Sequence, residues 1–85
     1  MPRISFFFGI VVYMYYDDHN PPHFHTLYEG LEAMFDFEGN LIKGYVPTRV
    51  QGLIKEWNDL HSDELKENWQ RAKENKPLNW IEPLR

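Results

Sequence analysis

Asp17, Asp18, His19, His23 and His25 form the densest group of reactive side chains in the sequence. They lie in the stretch DDHNPPHFH, where three of the four histidines fall within seven positions, around Pro21 and Pro22. If His23 to Tyr28 is a strand, His23 and His25 leave the same face, because side chains alternate along extended backbone. That is how a strand offers two imidazoles to one metal ion. His19, across a loop stiffened by the two prolines, could supply a third. Asp17, Asp18, Asp36 and Glu38 are the available oxygen ligands. Two or three imidazoles with a carboxylate suit zinc, iron or nickel. Each imidazole then needs its second nitrogen held by a partner, which cross-strand acids can provide.

Two other readings stand beside the metal. His25 with Asp36 has the make-up of an oriented general base, the carboxylate selecting the tautomer. No nucleophile is evident, since Ser5, Thr26 and Ser62 have no motif around them, so water or an RNA 2′-hydroxyl would have to serve. Alternatively, a histidine opposite an acid is an ordinary stabilising cross-strand contact. No HExxH or CxxC spacing is present, and Lys43 beside Asp36 would satisfy that carboxylate and repel a cation. No cofactor is required by the sequence; the one that the motif could hold is a divalent metal such as zinc.

The elements that must position these residues are legible from periodicity. The chain has 85 residues, one domain's worth, divided into a β-rich part (1–46), a helical part (47–75) and an extended tail (76–85). Arg3–Phe7 and Ile10–Tyr16 are β-branched and aromatic around Gly9, and His23–Tyr28, Glu32–Glu38 and Leu41–Val46 complete five predicted strands. Two-residue turns at Gly30-Leu31 and Gly39-Asn40 would pair Phe24 with Phe37, Thr26 with Phe35, Phe35 with Gly44 and Ala33 with Val46, making one apolar core face. The other face would carry His23 opposite Glu38, then a row of His25, Asp36 and Lys43, then Leu27, Met34 and Tyr45. Val12, Met14 and Tyr16 would join it. That leaves much apolar surface there, a feature of interaction sites.

After Pro47 the period becomes helical through Val50, Leu53, Ile54, Trp57 and Leu60. Ser62-Asp63-Glu64 predicts a second N-terminus, opening another helix through about Lys73; one long bent helix is the alternative. The tail, with Asn79-Trp80-Ile81-Glu82, suits an edge strand or docking across a partner. The expected fold class is α+β, a small antiparallel meander of about five strands with two helices packed on one face.

Composition narrows the function classes. Six Phe, five Tyr and three Trp, 16% aromatic in all, give a small core large side chains, and the absence of cysteine removes disulfides, thiolate metal sites and cysteine nucleophiles. The apolar run from Ile4 to Tyr16 is too short to span a bilayer and lacks signal-peptide flanks, so no membrane role and a cytoplasmic location are expected. The net charge of −4 disfavours nucleic acid as the main partner.

Taken together, Phe8-Gly9, Asp18 to His25, Glu56-Trp57, Glu64-Leu65, Asn68-Trp69 and Ile81-Glu82-Pro83-Leu84 resemble the bacterial domain-of-unknown-function family numbered 4160 over essentially the whole chain. The resemblance implies one half of a two-gene module of the toxin–antitoxin type, and makes His19, His23 and His25 the motif residues of its active or binding site. The combined expectation is a His-centred site in which His23 and His25 act, His19 and Asp18 assist by binding and Asp36 orients. Met34 and Tyr45 mark a surface for a small protein partner from a neighbouring gene or for a second copy. A non-catalytic adaptor with a structural His loop and a metal-assisted ribonuclease are the alternatives.

Overall fold

The computed structural model describes residues 2–85 and shows an α+β domain. Its elements are β1 (Arg3–Phe7), β2 (Ile10–Tyr13), β3 (His23–Tyr28), β4 (Leu31–Asp36), β5 (Leu41–Gly44) and one helix, α1 (Thr48–Lys73). The strands form one antiparallel sheet in sequence order, β1-β2-β3-β4-β5. A meander of this kind needs only short turns. β2 and β3 are joined by the longer loop 14–22, but the β1–β2 and β3–β4 turns each pair an ordinary residue with a glycine, Phe8-Gly9 and Glu29-Gly30, all four at positive φ. Positive φ at both central positions gives the turn whose twist matches that of the flanking strands.

The turn at Glu29-Gly30, one residue earlier than expected, corrects the register. Tyr28 pairs with Leu31, Thr26 with Ala33, Phe24 with Phe35 and His23 with Asp36. Each partner moves by two positions, so every residue keeps its predicted face. The β4–β5 connection is also reset. Asp36 Oδ1 accepts hydrogen bonds from the backbone N–H groups of Glu38 and Asn40, both at 2.9 Å, which ends β4 at Asp36. Ala33 then faces Gly44, Met34 faces Lys43 and, after an irregularity, Phe35 faces Leu41. In the β2–β3 pair, Tyr13 lies opposite His25 and Val12 opposite Thr26. Val12 and Met14 therefore belong to the core, fully buried, and Val11 and Tyr13 take the other face.

The core is the space between that sheet face and α1. Val50, Ile54, Trp57, Leu65 and Trp69 from the helix meet Ile4, Phe7, Ile10, Phe24 and Phe35 from the sheet. Two predicted helices are replaced by one. At His61 the backbone leaves helical geometry (φ −128°, ψ 23°), and His61 Nδ1 lies 2.6 Å from Glu64 Oε1. The capping signal at Ser62-Asp63-Glu64 is thus expressed as a kink, because the apolar stripe continues from Trp57 to Leu65 and Trp69 and holds both halves on one sheet.

The tail adds no strand. It closes the core within the chain through the buried Ile81 and Leu84, with Ile81 N–H donating to the Ile4 carbonyl at 2.8 Å. The buried Asn68 side chain accepts from Asn79 N–H and donates to the Asn79 carbonyl, both at 2.8 Å. It thereby satisfies the backbone of an irregular segment as a neighbouring strand would.

Thr26 sits in the core row with Ser5 on the far side of Val12, and both hydroxyls are buried without a protein partner. Neither is placed to act as a nucleophile. A buried unpaired hydroxyl costs stability, so Thr26→Val is expected to stabilise the fold by about 1 kcal/mol, read as a higher urea midpoint at unchanged slope.

Candidate functional site

His23 opens β3 and His25 follows two residues later, so the two side chains leave the strand on the same side. His25 lines the open face, whereas His23 is buried at the end of the sheet against Trp69 of α1. Asp18 reaches them from the loop between β2 and β3. That loop is tied to the helix end by Asp17 N–H on the Ala72 carbonyl (3.4 Å) and reverses through Asp17 at φ +53°. The Asn20–Pro21 peptide is cis.

Asp18 Oδ2 is the centre of the group. It lies 2.9 Å from His23 Nε2 and 3.2 Å from His25 Nε2. His23 Nδ1 donates to the Pro21 carbonyl at 2.6 Å, which fixes the ring and its tautomer. In the neutral ring this leaves Nε2 as a bare lone pair. That nitrogen is buried and has no hydrogen-bond partner, although Asp18 Oδ2 lies 2.9 Å away. One ligand atom each from Asp18, His23 and His25 lies within 4.8 Å of the others. Two imidazole nitrogens and a carboxylate oxygen converging in this way make a group able to hold a metal ion, with His23 already oriented by its outer hydrogen bond.

The walls are aromatic. His23 packs on Trp69 with ring centroids 5.3 Å apart. His25 stacks on Tyr13 at 5.2 Å and meets Tyr15 edge-on at 4.8 Å. Burial lowers the pKa of His25; the hydrogen bond to Asp18 opposes that shift, and the nearby charge of His23 adds to it. For Asp18, burial disfavours the charged form. Hydrogen bonds from His25 and the His19 backbone, with the charge of His23, outweigh it and hold the carboxyl below its usual value. Tyr13 is pushed up to about 12 by burial, then by the charges of Tyr15 and Glu32.

Both Asp18 and His25 bind a proton less readily folded than unfolded. Their stabilising effect is therefore complete above the unfolded histidine value of 6.5 and falls as pH drops through the lowered His25 value. It falls again below the unfolded aspartate value of 3.8, through that of Asp18. Chelator-treated protein is expected to lose melting temperature steadily from pH 7 toward pH 3, with His25→Gln removing the upper part of the decline. A melting temperature that rises between pH 7 and 5 would contradict this assignment.

The expected site residues separate in space. His23, His25 and Asp18 come together. His19 touches the same carboxylate through its other oxygen, Nδ1 to Oδ1 3.2 Å, but its side chain is 87% exposed and lies outside the group. Asp36 does not orient His25: it faces His23 across the ladder and spends its oxygens on the β4–β5 turn. Met34 is the residue opposite His25, and Tyr45 stands exposed beyond the end of β5. Glu38 lies past β4, its carbonyl accepting from Lys55 Nζ at 3.1 Å. Tyr13 and Tyr15 were among the residues that could assist the histidines, whereas Trp69 as a wall of the site was not expected. Continuing the β2–β3 pairing back around the loop would have placed Tyr13 opposite His25; Trp69 on a core stripe gives no such signal.

No helix among the described residues is long and apolar enough to cross a membrane. No curated protein and no solved structure matches the chain. Residues 9–70, well over half of the chain and the whole of the Asp18–His23–His25 group, match the family described as Domain of unknown function (DUF4160). The chain belongs to that family.

Proposed function

We propose that the protein works through a divalent metal ion held by Asp18, His23 and His25, as one component of a two-gene module of the toxin–antitoxin type. The observation that carries the metal is the convergence of one ligand atom each from Asp18, His23 and His25 within 4.8 Å, with the buried His23 Nε2 lacking a hydrogen-bond partner. A buried imidazole nitrogen 2.9 Å from a carboxylate oxygen is a pairing that a cation between them would satisfy. The ligand chemistry suits zinc, iron or nickel. Such an ion would supply Lewis acidity and an activated water, the requirement for hydrolysis. The chain's own part would be to hold the ligands oriented, through Pro21 for His23, and to keep the site walled by Trp69, Tyr13 and Tyr15. Hydrolysis of RNA is one candidate activity, disfavoured by the acidic net charge of −4.

A second reading rests on a different observation. Phe6 and Tyr45 are 53% and 59% exposed at opposite margins of the sheet, and no helix covers the face that carries Met34 and Leu27. That supports an adaptor that binds a small protein or a second copy, with the His loop structural.

Elemental mass spectrometry on untagged protein tests the first reading. About one equivalent of zinc, iron or nickel is expected, absent from the His23→Ala/His25→Ala double variant and from Asp18→Asn. Zinc added to chelated protein at about a hundredfold excess over its dissociation constant should stabilise it by about 2.7 kcal/mol. That is a rise of about 10 °C or more in a domain of this size. Metal-free wild-type protein that ignores added zinc, nickel and ferrous iron would leave the adaptor reading, tested by co-expression with the neighbouring gene's product and Met34→Asp or Tyr45→Asp.

A further inference from the structure

Beside the histidines, the open face of the sheet holds a cleft of about 310 Å³. Its chemistry-bearing lining is Tyr13, Tyr15, His25, Glu32, Met34 and Lys43, drawn from β2 to β5 and the residues just after β2. This is the small end of ligand-pocket sizes. The register explains the assembly. Lys43 lies opposite Met34, and Glu32 is two residues from Met34 on the same face, so the two charges are diagonal neighbours. They do not close on each other: among the described residues, neither enters an ion pair or a side-chain hydrogen bond. Beside them, on the β2–β3 side of Met34, stands the aromatic wall of Tyr13, Tyr15 and His25, packed at 4.8 to 5.6 Å between centroids.

An unpaired ammonium and an unpaired carboxylate lining one small cleft, with a methionine and aromatic rings beside them, define a ligand by complement. We propose that this cleft binds a small zwitterion of the amino-acid class. Its carboxylate sits at Lys43, its ammonium at Glu32 against the tyrosine faces, and an apolar side chain lies on Tyr15 and Met34. Cations are favoured over tyrosine faces. A ligand that meets both charges at once gains over one that meets either alone, because the uncompensated partner then stays unpaired. The cleft meets the metal group only at His25, so this binding goes beyond the metal reading and does not depend on it.

Chelator-treated protein, titrated by calorimetry with two-dimensional amide NMR, provides the test. The probes are L-phenylalanine and its two singly charged relatives, 3-phenylpropionate and phenethylamine. Saturable L-phenylalanine binding is expected, about tenfold tighter than either relative, with shifts centred on Tyr13, His25, Met34 and Lys43. Lys43→Met should weaken L-phenylalanine and 3-phenylpropionate about tenfold and leave phenethylamine unchanged. Glu32→Gln should do the reverse. Both positions are exposed, and unchanged melting curves would exclude misfolding. No saturation by any probe at millimolar concentration, equal affinity for all three, or indifference to both substitutions would overturn the proposal. Metal content, measured in parallel on untreated protein, decides the metal reading separately.

Discussion

Trp57→Ala is expected to leave no cooperatively folded protein at 37 °C. The indole is fully buried, packs on Phe7 at 5.4 Å and Phe24 at 5.6 Å, and donates its Nε1–H to the Glu82 carbonyl at 2.9 Å. It therefore joins three parts of the molecule: the helix that carries it, the sheet it covers and the tail it anchors. Truncating a buried tryptophan to alanine costs about 3–5 kcal/mol. A domain of this length has a total stability of about 4–13 kcal/mol, at about 0.05–0.15 kcal/mol per residue, so the loss consumes a large part or all of it. Trp57→Phe separates packing from hydrogen bonding. It keeps most of the buried area and should lower stability by about 1–2 kcal/mol while still melting cooperatively. The check is urea denaturation followed by circular dichroism. An alanine variant with a midpoint close to wild type would mean that the helix is not held on the sheet through this residue.

Gly44→Ala is expected to be the second most damaging substitution. Gly44 ends β5 at φ +84°, and an added Cβ would stand 2.2 Å from the Glu32 carbonyl oxygen and 2.9 Å from the Ala33 Cα. Both obstacles are backbone of the neighbouring strand, so relief requires β5 to leave β4. A cost of about 3 kcal/mol or more follows from the combined conformational strain and overlap. Amide exchange should accelerate at Lys43 and at Tyr45, whose N–H donates to the Glu32 carbonyl at 3.2 Å. Gly30 supplies the control. It has φ +81° but nothing within 4 Å of an added Cβ, so Gly30→Ala should cost only about 1–2 kcal/mol. Equal losses at the two glycines would show that the contact with Glu32 is irrelevant. Since Lys43 precedes Gly44, the same substitution should also disturb the cleft on the open face.

The strands, and the faces of β3 and β4, were legible in the sequence because alternation has period two. Val12 and Met14 were read onto the wrong face, since the long β2–β3 loop gives no tight turn from which to count. The turn at Glu29-Gly30 shifted the partners of β3 by two positions, and an error of two restores the face. Thr26, Phe24, Ala33 and Phe35 thus stayed inward and His25 outward even though every named pair changed. Row-by-row chemistry does not survive that error. Asp36 moved from His25 to His23 in the ladder, and its oxygens went to the backbone of Glu38 and Asn40. The carboxylate at the histidines is Asp18, placed by loop backbone with a positive φ at Asp17, and no periodicity encodes such a path. The helix was legible as a stripe, with two helices expected and one long bent helix as the alternative that the structure takes. Ser62-Asp63-Glu64 is a sound local capping signal, overridden by the burial of Trp57 and Leu65 on either side of His61. Asn68 could not be read at all, since its partner is the backbone of a segment without regular structure.

The anchoring of the tail has a consequence for biosynthesis. Ile81 and Leu84 fill the core beside Ile4 of β1, and Trp57 reaches the carbonyl of Glu82. On a ribosome the sheet and helix emerge well before this clasp, so the nascent chain carries an unsealed seam along β1 until residues 81–84 leave the exit tunnel. The domain is thus vectorially late. Its hairpins form from close neighbours, but the seal joins Ile4 to Ile81, residues far apart in sequence, a non-local step of the kind that slows folding.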